Sequence, residues 1–198
     1  RVALTGQKVT EDYDTFSVSG FRLGRVPEQQ PPILVAALRE GMLRLAGREG
    51  DGAIINWLSA ADVERVAGIV ASEGPGKEVV ARIFVCPSDD RDQVLASGRF
   101  AMAAYLNVPV YRAFHEWMGR GELLGEHWEQ WATGDRKGAL EKIPEKVVDD
   151  LIVHGTPDEC RAHIQRYVDA GVTCPALAVM SLTGGDVRQA VRDLAPVD

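Results

Sequence analysis

The chain has 198 residues, of which 45% are hydrophobic and 26% are charged, and its formal net charge is -7. This composition is typical of a globular protein with a core large enough for one or two domains. The acidic balance disfavours non-specific binding to nucleic acid or to an anionic membrane surface, and no apolar run approaches the ~20 residues of a membrane-spanning helix. We therefore expect neither nucleic acid nor a membrane as a partner.

The cysteines and histidines do not predict a metal site or a disulfide framework. Cys86, Cys160 and Cys174 form no CxxC pair and no zinc spacing, and the four histidines share no metal-ligand spacing. An odd number of widely separated cysteines suits a reducing compartment. We predict three buried free thiols, no bound metal and a cytoplasmic location.

Residues 1–31 predict a hairpin followed by a linker. Apolar side chains alternate weakly between Val9 and Phe21, and the acidic stretch "TEDYDT" between them is typical of a turn. The segment "RVPEQQPP" is predicted to be extended, because proline and the residue before it avoid the helical region.

From residue 33 onward the chain repeats a strand followed by a helix. Residues 33–37 predict a buried strand that runs without turn residues into an amphipathic helix. Residues 53–56 are the second strand, and Ser59 is the predicted N-cap of the helix after it. Residues 78–86, "EVVARIFVC", are the third strand, and Ser88 is predicted to begin the next helix.

The pattern changes over residues 92–149, which contain no convincing strand and predict a helical insertion. It returns at "GTPDE", where Thr156 is the predicted N-cap, Pro157 the first helical residue and Glu159 the partner in a capping box. Residues 175–180, "PALAVM", are the fourth clear strand.

Strands that alternate with helices imply parallel pairing with right-handed crossovers. The predicted strands are almost continuously apolar, as expected when both faces of a sheet are buried. The four strand–helix units fit either a small open sheet or part of a (β/α)8 barrel, which typically has ~250 residues.

The turn over residues 37–41 is the strongest candidate site. It opens a helix whose first N–H groups have no partner within the helix, and such donors suit a phosphate. Arg39 either binds that anion through its guanidinium or is solvated, and Glu40 either repels the anion or only stabilises the helix start. At the end of the next strand, Asn56 can donate and accept hydrogen bonds. Trp57 either faces a ligand ring or packs over the rim.

Four segments, taken in order, resemble one known family, and the first is the hairpin with "VSGFRL". "PPILVAALREGMLRLAGREGDGAIINWLSAADV" is the most specific, "AMAAYLNVPVYRAF" is similar to a helical insertion, and "GDRKGALEKIPEKVVDDLIVHGTPDECRAHIQRYVDAGV" is similar to the run into a final barrel strand. This order resembles the C-terminal half of the luciferase-like monooxygenase superfamily, and within it the F420-dependent oxidoreductases.

The resemblance implies an α/β fold of the (β/α)8 TIM-barrel type, of which this chain is the C-terminal portion with a helical insertion. It implies a single domain over residues 1–198, with the hairpin and linker at 1–31 and the insertion at 92–149. The first half of the barrel, with the catalytic residues, is expected before Arg1, so no catalytic residue is assigned here. The chain alone is expected to be incomplete.

The resemblance also implies an oxidoreductase that uses coenzyme F420 for hydride transfer to or from a small organic substrate, and a homodimer. The alternatives are an FMN-dependent monooxygenase of the same superfamily and a cofactor-free barrel relative that acts as a binding or subunit partner. The substitutions at Leu38, Arg39 and Glu40 motivate the last, because the family's turn is usually glycine-rich there. The predicted cofactor-binding residues are Ala36, Ala37, Leu38, Arg39, Glu40, Gly41, Asn56 and Trp57.

Overall fold

The computed structural model describes residues 1–180 and 186–196, which form two units, Arg1–Ile33 and Leu34–Asp198. The first unit holds a short 3-10 helix, Val2–Thr5, and an antiparallel hairpin of β1 (Val9–Asp12) and β2 (Ser17–Phe21). The predicted hairpin is therefore confirmed.

The second unit alternates strands with helices, and five consecutive helices lie between its third and fourth strands. The elements are β3 (Leu34–Ala36), α1 (Glu40–Glu49), β4 (Gly52–Asn56), α2 (Ala60–Ala71), β5 (Glu78–Cys86), α3 (Arg91–Leu106), α4 (Pro109–Trp117), α5 (Gly121–Ala132), α6 (Arg136–Glu141), α7 (Glu145–Leu151), β6 (Ile152–His154), α8 (Pro157–Asp169), β7 (Cys174–Val179) and α9 (Val187–Asp193). The single-domain organisation and the bounds 1–31 and 92–149 stay predictions.

The five strands described in this unit pair in parallel, and β5 is the central strand. β4 pairs with β3 on one side and with β5 on the other, while β5 also pairs with β6 and β7. Among the described residues β3 pairs only with β4, so the sheet is not closed into a barrel. Four strands are those predicted from the sequence. The sequence analysis did not predict β6, because this strand has three residues and follows α7 directly.

Local side-chain chemistry explains where several helices begin. Ser59 and Thr156 are both N-caps, as predicted, and each forms a complete capping box; the box at Thr156 was predicted, whereas the one between Ser59 and Asp62 was not. Ser88 does not begin α3, contrary to the prediction. Asp90 is the N-cap, because its carboxylate accepts a hydrogen bond from the backbone N–H of Gln93 at 3.1 Å.

The core has two parts, one on each side of β5. One lies between the sheet and helices α1, α2 and α8, and includes Leu43, Val66 and Tyr167. The other lies under α3, α5 and α7, and includes Met102 and Leu124. Both parts are apolar on strands and helices alike, as expected for a sheet buried on two faces.

The prediction of three buried thiols is wrong at one position. Cys86 and Cys160 are buried, but Cys174 is exposed. The first three residues of β7 are all exposed in this structure, so strand position rather than residue type decides the exposure of this thiol.

Gly47 lets α1 approach α2, and we predict that an alanine there destabilises the protein. A Cβ at Gly47 would lie 2.6 Å from the backbone oxygen of Val70 and 2.8 Å from Cβ of Glu73, neither of which can move far. We expect Gly47→Ala to lower the free energy of unfolding of the full-length protein by about 1–3 kcal/mol, measured by urea unfolding.

Gly68 is the matched control, because it lies within α2 and a Cβ there would meet nothing within 4 Å. Gly68→Ala is expected to raise the free energy of unfolding by up to about 1 kcal/mol through helix propensity. Equal effects of the two substitutions would contradict the close approach of the two helices.

Candidate functional site

A cavity of about 790 Å³ lies at the C-terminal ends of β3 and β4. This is the end at which parallel α/β sheets bind ligands. Its floor comes from the strands, and α1 and α4 contribute its walls. The lining residues are Ala36, Ala37, Leu38, Arg39, Glu40, Gly41, Met42, Ile54, Asn56, Arg82, Val110, Tyr111 and Trp117.

The start of α1 presents uncapped backbone donors to this cavity. Arg39 is the N-cap in an extended conformation, with φ -119° and ψ 168°, and no side chain caps the helix. The first helical hydrogen bond runs from the N–H of Leu43 to the oxygen of Arg39 at 3.0 Å. The N–H groups of residues 40–42 precede it and have no partner in the helix. The partial positive charge of the helix start adds to these donors.

Arg39 and Glu40 differ in how their charges are engaged. The Glu40 carboxylate accepts hydrogen bonds from Nε and Nη2 of Arg44 at 3.1 and 2.9 Å. Arg44 also contacts Glu73 at 3.0 Å. The Arg39 guanidinium is exposed and makes no ion pair with the described part of the chain. The cavity lining therefore carries a cation, Arg39, at the start of α1, whereas the carboxylate of Glu40 is already neutralised by Arg44.

Asn56 lies at the end of β4 and is held by the helical region. Its Nδ2 donates a hydrogen bond to the hydroxyl oxygen of Tyr111 on α4 at 3.2 Å. Its Oδ1 is buried and accepts no hydrogen bond from the described residues. A buried amide oxygen without a donor is costly, so this atom is suited to a ligand that brings one.

Trp57 does not line the cavity with the other predicted residues. It is 2% exposed, and its ring stacks on Phe84 at 3.9 Å and lies 5.0 Å from Tyr105. Its φ of 56° is in the left-handed region, which costs a non-glycine residue about 1–3 kcal/mol and is offset here by burial. This geometry favours rim packing over direct ligand contact. Seven of the eight predicted residues share one cavity, and their role in cofactor binding stays a prediction.

The sequence analysis missed Arg82 and Tyr111. Arg82 is the cation that interrupts the apolar run after Glu78 in the strand "EVVARIFVC", and this break in the pattern was the available signal. Its guanidinium lies over the ring of Phe84, 4.5 Å from the centroid. Tyr111 carries no local signal, because only the packing of α4 brings it to β4.

A buried ion pair anchors the segment that follows α4. Nη2 of Arg120 lies 2.5 Å from Oδ2 of Asp62, and the two side chains are 8% and 13% exposed. The same carboxylate oxygen accepts hydrogen bonds from the backbone N–H and the hydroxyl of Ser59. His115 on α4 is also buried, next to this pair. These contacts link α4, which carries Tyr111, to the start of α2.

Two other kinds of site are not found in the described part of the chain. Residues 1–180 and 186–196 contain no group of three or more His, Cys, Asp or Glu residues arranged to hold a metal ion. None of the helices there combines the length and apolarity of a membrane span.

The fold and the cavity define the class as a parallel α/β protein with an open sheet and a strand-to-helix turn whose backbone donors are suited to an anion. A family model described as luciferase-like monooxygenase matches residues 1–174. The chain belongs to the luciferase-like monooxygenase family, and the predicted family is confirmed.

Two curated relatives are similar to this chain, and one of them is named as an F420-dependent enzyme, in line with the predicted branch. The 5,10-methylenetetrahydromethanopterin reductase of Methanolobus tindarius is 31% identical over 86% of this chain and 54% of the relative. An F420-dependent glucose-6-phosphate dehydrogenase of Kineococcus radiotolerans is 28% identical over 84% of this chain and 48% of the relative. The chain thus spans about half the length of these relatives.

A solved structure confirms the predicted fold class. The coenzyme F420 dependent tetrahydromethanopterin reductase from Methanopyrus kandleri superposes with a TM-score of 0.72 at 19% identity, covering 98% of this chain and 58% of that chain. At this identity the match speaks for the fold alone.

His115 is predicted to make the folded protein less stable in acid. Burial, with a smaller contribution from the Arg120 guanidinium, lowers the pKa of its ring from 6.5 to about 4, although the Asp62 carboxylate opposes the shift. Because the folded-state pKa lies below the unfolded value, the unfolded chain takes up the proton first. The free energy of unfolding therefore falls as the pH drops from 6.5 towards about 4.

We expect the full-length wild type to lose more stability across this window than a His115→Gln variant, measured by urea unfolding at several pH values. The carboxylates titrate in both proteins, so the difference between the two isolates His115. Parallel stability curves would contradict a buried, neutral His115.

Proposed function

We propose that the full-length protein is an oxidoreductase that uses coenzyme F420, and that this chain supplies the phosphate side of the cofactor site. The observation that carries the proposal is the uncapped start of α1 beside Arg39, in a cavity of about 790 Å³. The relatives named as F420-dependent enzymes support it.

The residues of the cavity fit a phosphate-bearing cofactor. The N–H groups of residues 40–42 and the Arg39 guanidinium provide donors for phosphate oxygens. Leu38 and Ile54 offer apolar surface for the rest of the molecule. When bound, F420 supplies the hydride chemistry through its deazaflavin ring. The residues that line the cavity orient the bound cofactor.

Leu38 and Arg39 replace the glycine-rich turn of the family without closing the cavity. The backbone of residues 37–41 still lines it, and the carboxylate of Glu40 is directed to Arg44. A guanidinium at position 39 compensates for the loss of the closest backbone approach, since Arg–phosphate bonds are charge-assisted. The departure from glycine is therefore compatible with a phosphate.

FMN also carries a phosphate, so an FMN-dependent monooxygenase remains the second candidate, and a cofactor-free partner protein is the third. Titration of the full-length protein with F420 and with FMN, followed by fluorescence, separates the three. The proposal further includes a small organic substrate, a homodimer and a cytoplasmic location, without nucleic acid or a membrane as a partner.

We predict that Arg39→Met lowers the affinity of the full-length protein for F420 by about tenfold. A charge-assisted hydrogen bond contributes about 1.5–3 kcal/mol, and 1.4 kcal/mol corresponds to a factor of ten. The affinity for the deazaflavin chromophore without its phosphate should not change. Fluorescence titration measures both constants.

Arg48→Met is the matched control, because Arg48 lies on the same helix outside the cavity and pairs with Glu49. It should leave both affinities unchanged. If Arg39→Met loses as much affinity for the phosphate-free chromophore as for F420, Arg39 does not bind the cofactor's phosphate. Failure of the wild type to bind either F420 or FMN would favour the cofactor-free partner.

A further inference from the structure

A second polar group in the cavity lies away from α1, and the proposed cofactor contact does not use it. Arg82 on β5 is the register partner of Asn56 on β4, so the two side chains project from neighbouring positions on the same face of the sheet. Tyr111 on α4 reaches Asn56 across the cavity wall. All three residues line the cavity.

Arg82 is a cation without an acidic partner in the described residues. Its guanidinium is exposed and rests on the ring of Phe84, which orients its plane without using its N–H groups. Glu40 is the acid among the lining residues, and Arg44 already engages it at 2.9 Å. The five N–H donors of Arg82 are thus available to a planar or tetrahedral oxyanion.

Asn56 and Tyr111 add complementary groups. The Tyr111 oxygen accepts the hydrogen bond from Nδ2 of Asn56, so its own O–H hydrogen remains to be donated. The Oδ1 of Asn56 is buried and lacks a donor among the described residues. The cluster therefore offers a cation, a hydroxyl donor and an amide acceptor.

We propose that Arg82, Tyr111 and Asn56 form a substrate subsite for an anionic oxygen group, a carboxylate or a phosphate, carried next to a hydroxyl or amine. Arg82 and Tyr111 donate to the anion, and the hydroxyl or amine donates to Oδ1 of Asn56. A neutral substrate leaves the guanidinium without its partner, and sites with unpaired polar groups discriminate strongly against such analogues. The inference rests on the proposed function and names the substrate class of the same site.

The test uses the F420-loaded full-length protein and isothermal titration calorimetry with inorganic phosphate, acetate and glycolate. Arg82→Met keeps the length of the side chain and removes its charge. It should weaken anion binding by about tenfold or more. Arg136→Met is the control, because Arg136 also stacks on an aromatic ring, 4.0 Å from the centroid of Trp131, but lies outside the cavity. It should bind anions as the wild type does.

The choice of anions identifies the chemistry. Tighter binding of phosphate than of acetate assigns a phosphate group to the substrate, and the reverse order assigns a carboxylate. Glycolate differs from acetate by a hydroxyl on the adjacent carbon, so tighter binding of glycolate supports the role of Asn56. Tyr111→Phe should cause a smaller loss than Arg82→Met for every anion, because it removes one neutral donor.

Equal anion affinities in Arg82→Met and Arg136→Met would overturn the subsite, as would a wild type that binds F420 but none of the three anions. If Arg82→Met does not fold, Arg82→Lys keeps the charge without the planar fork, and it should bind anions several-fold more weakly than the wild type. Equal affinity in that variant and the wild type would also count against the proposal.

The anion titrations are repeated without F420 to separate the two proposals. If the wild type does not bind F420 but binds anions more tightly than Arg82→Met does, the cofactor proposal is refuted and the anion subsite is supported. If the wild type binds F420 but binds anions no more tightly than Arg82→Met does, the anion subsite is refuted and the cofactor proposal is supported.

Discussion

The parallel pairing of β4 with β5 is the contact on which the rest of the structure depends. Its register runs from Gly52 opposite Glu78 to Asn56 opposite Arg82. A Cβ at Gly52 would lie 2.1 Å from the backbone oxygen of Glu78, so the strands can adopt this spacing only with glycine there. A shift of β4 by one residue relative to β5 would turn Asn56 to the face opposite Arg82, and the two side chains would no longer line the same cavity.

The helical region completes the site by covering it from the side. β5 leads into five helices before β6 returns to the sheet, and α4 brings Tyr111 to the end of β4. The Arg120–Asp62 pair joins this region to the capping box of α2. A buried pair of this kind contributes little net stability, but loss of one partner is costly because it leaves an uncompensated buried charge. The polar cluster in the cavity is thus positioned by contacts outside it.

The cavity presents two groups of hydrogen-bond donors suited to the two proposed anions. At α1, backbone donors and the helix dipole act together with Arg39, whereas Arg82 depends on its guanidinium and on stacking against Phe84. Such a site suits a ligand set with separate anionic groups, as a phosphate-bearing cofactor and an anionic substrate would provide.

The sequence by itself determined the alternating strands and helices, the helix caps at Ser59 and Thr156, and the candidate turn over residues 37–41. These features depend on local periodicity and on hydrogen bonds between residues close in the chain. Only the tertiary structure decided that Trp57 turns into the core, that Cys174 is exposed and that Arg82 and Tyr111 join Asn56. Those outcomes depend on strand register and on helix packing between residues far apart in sequence, which no local pattern encodes.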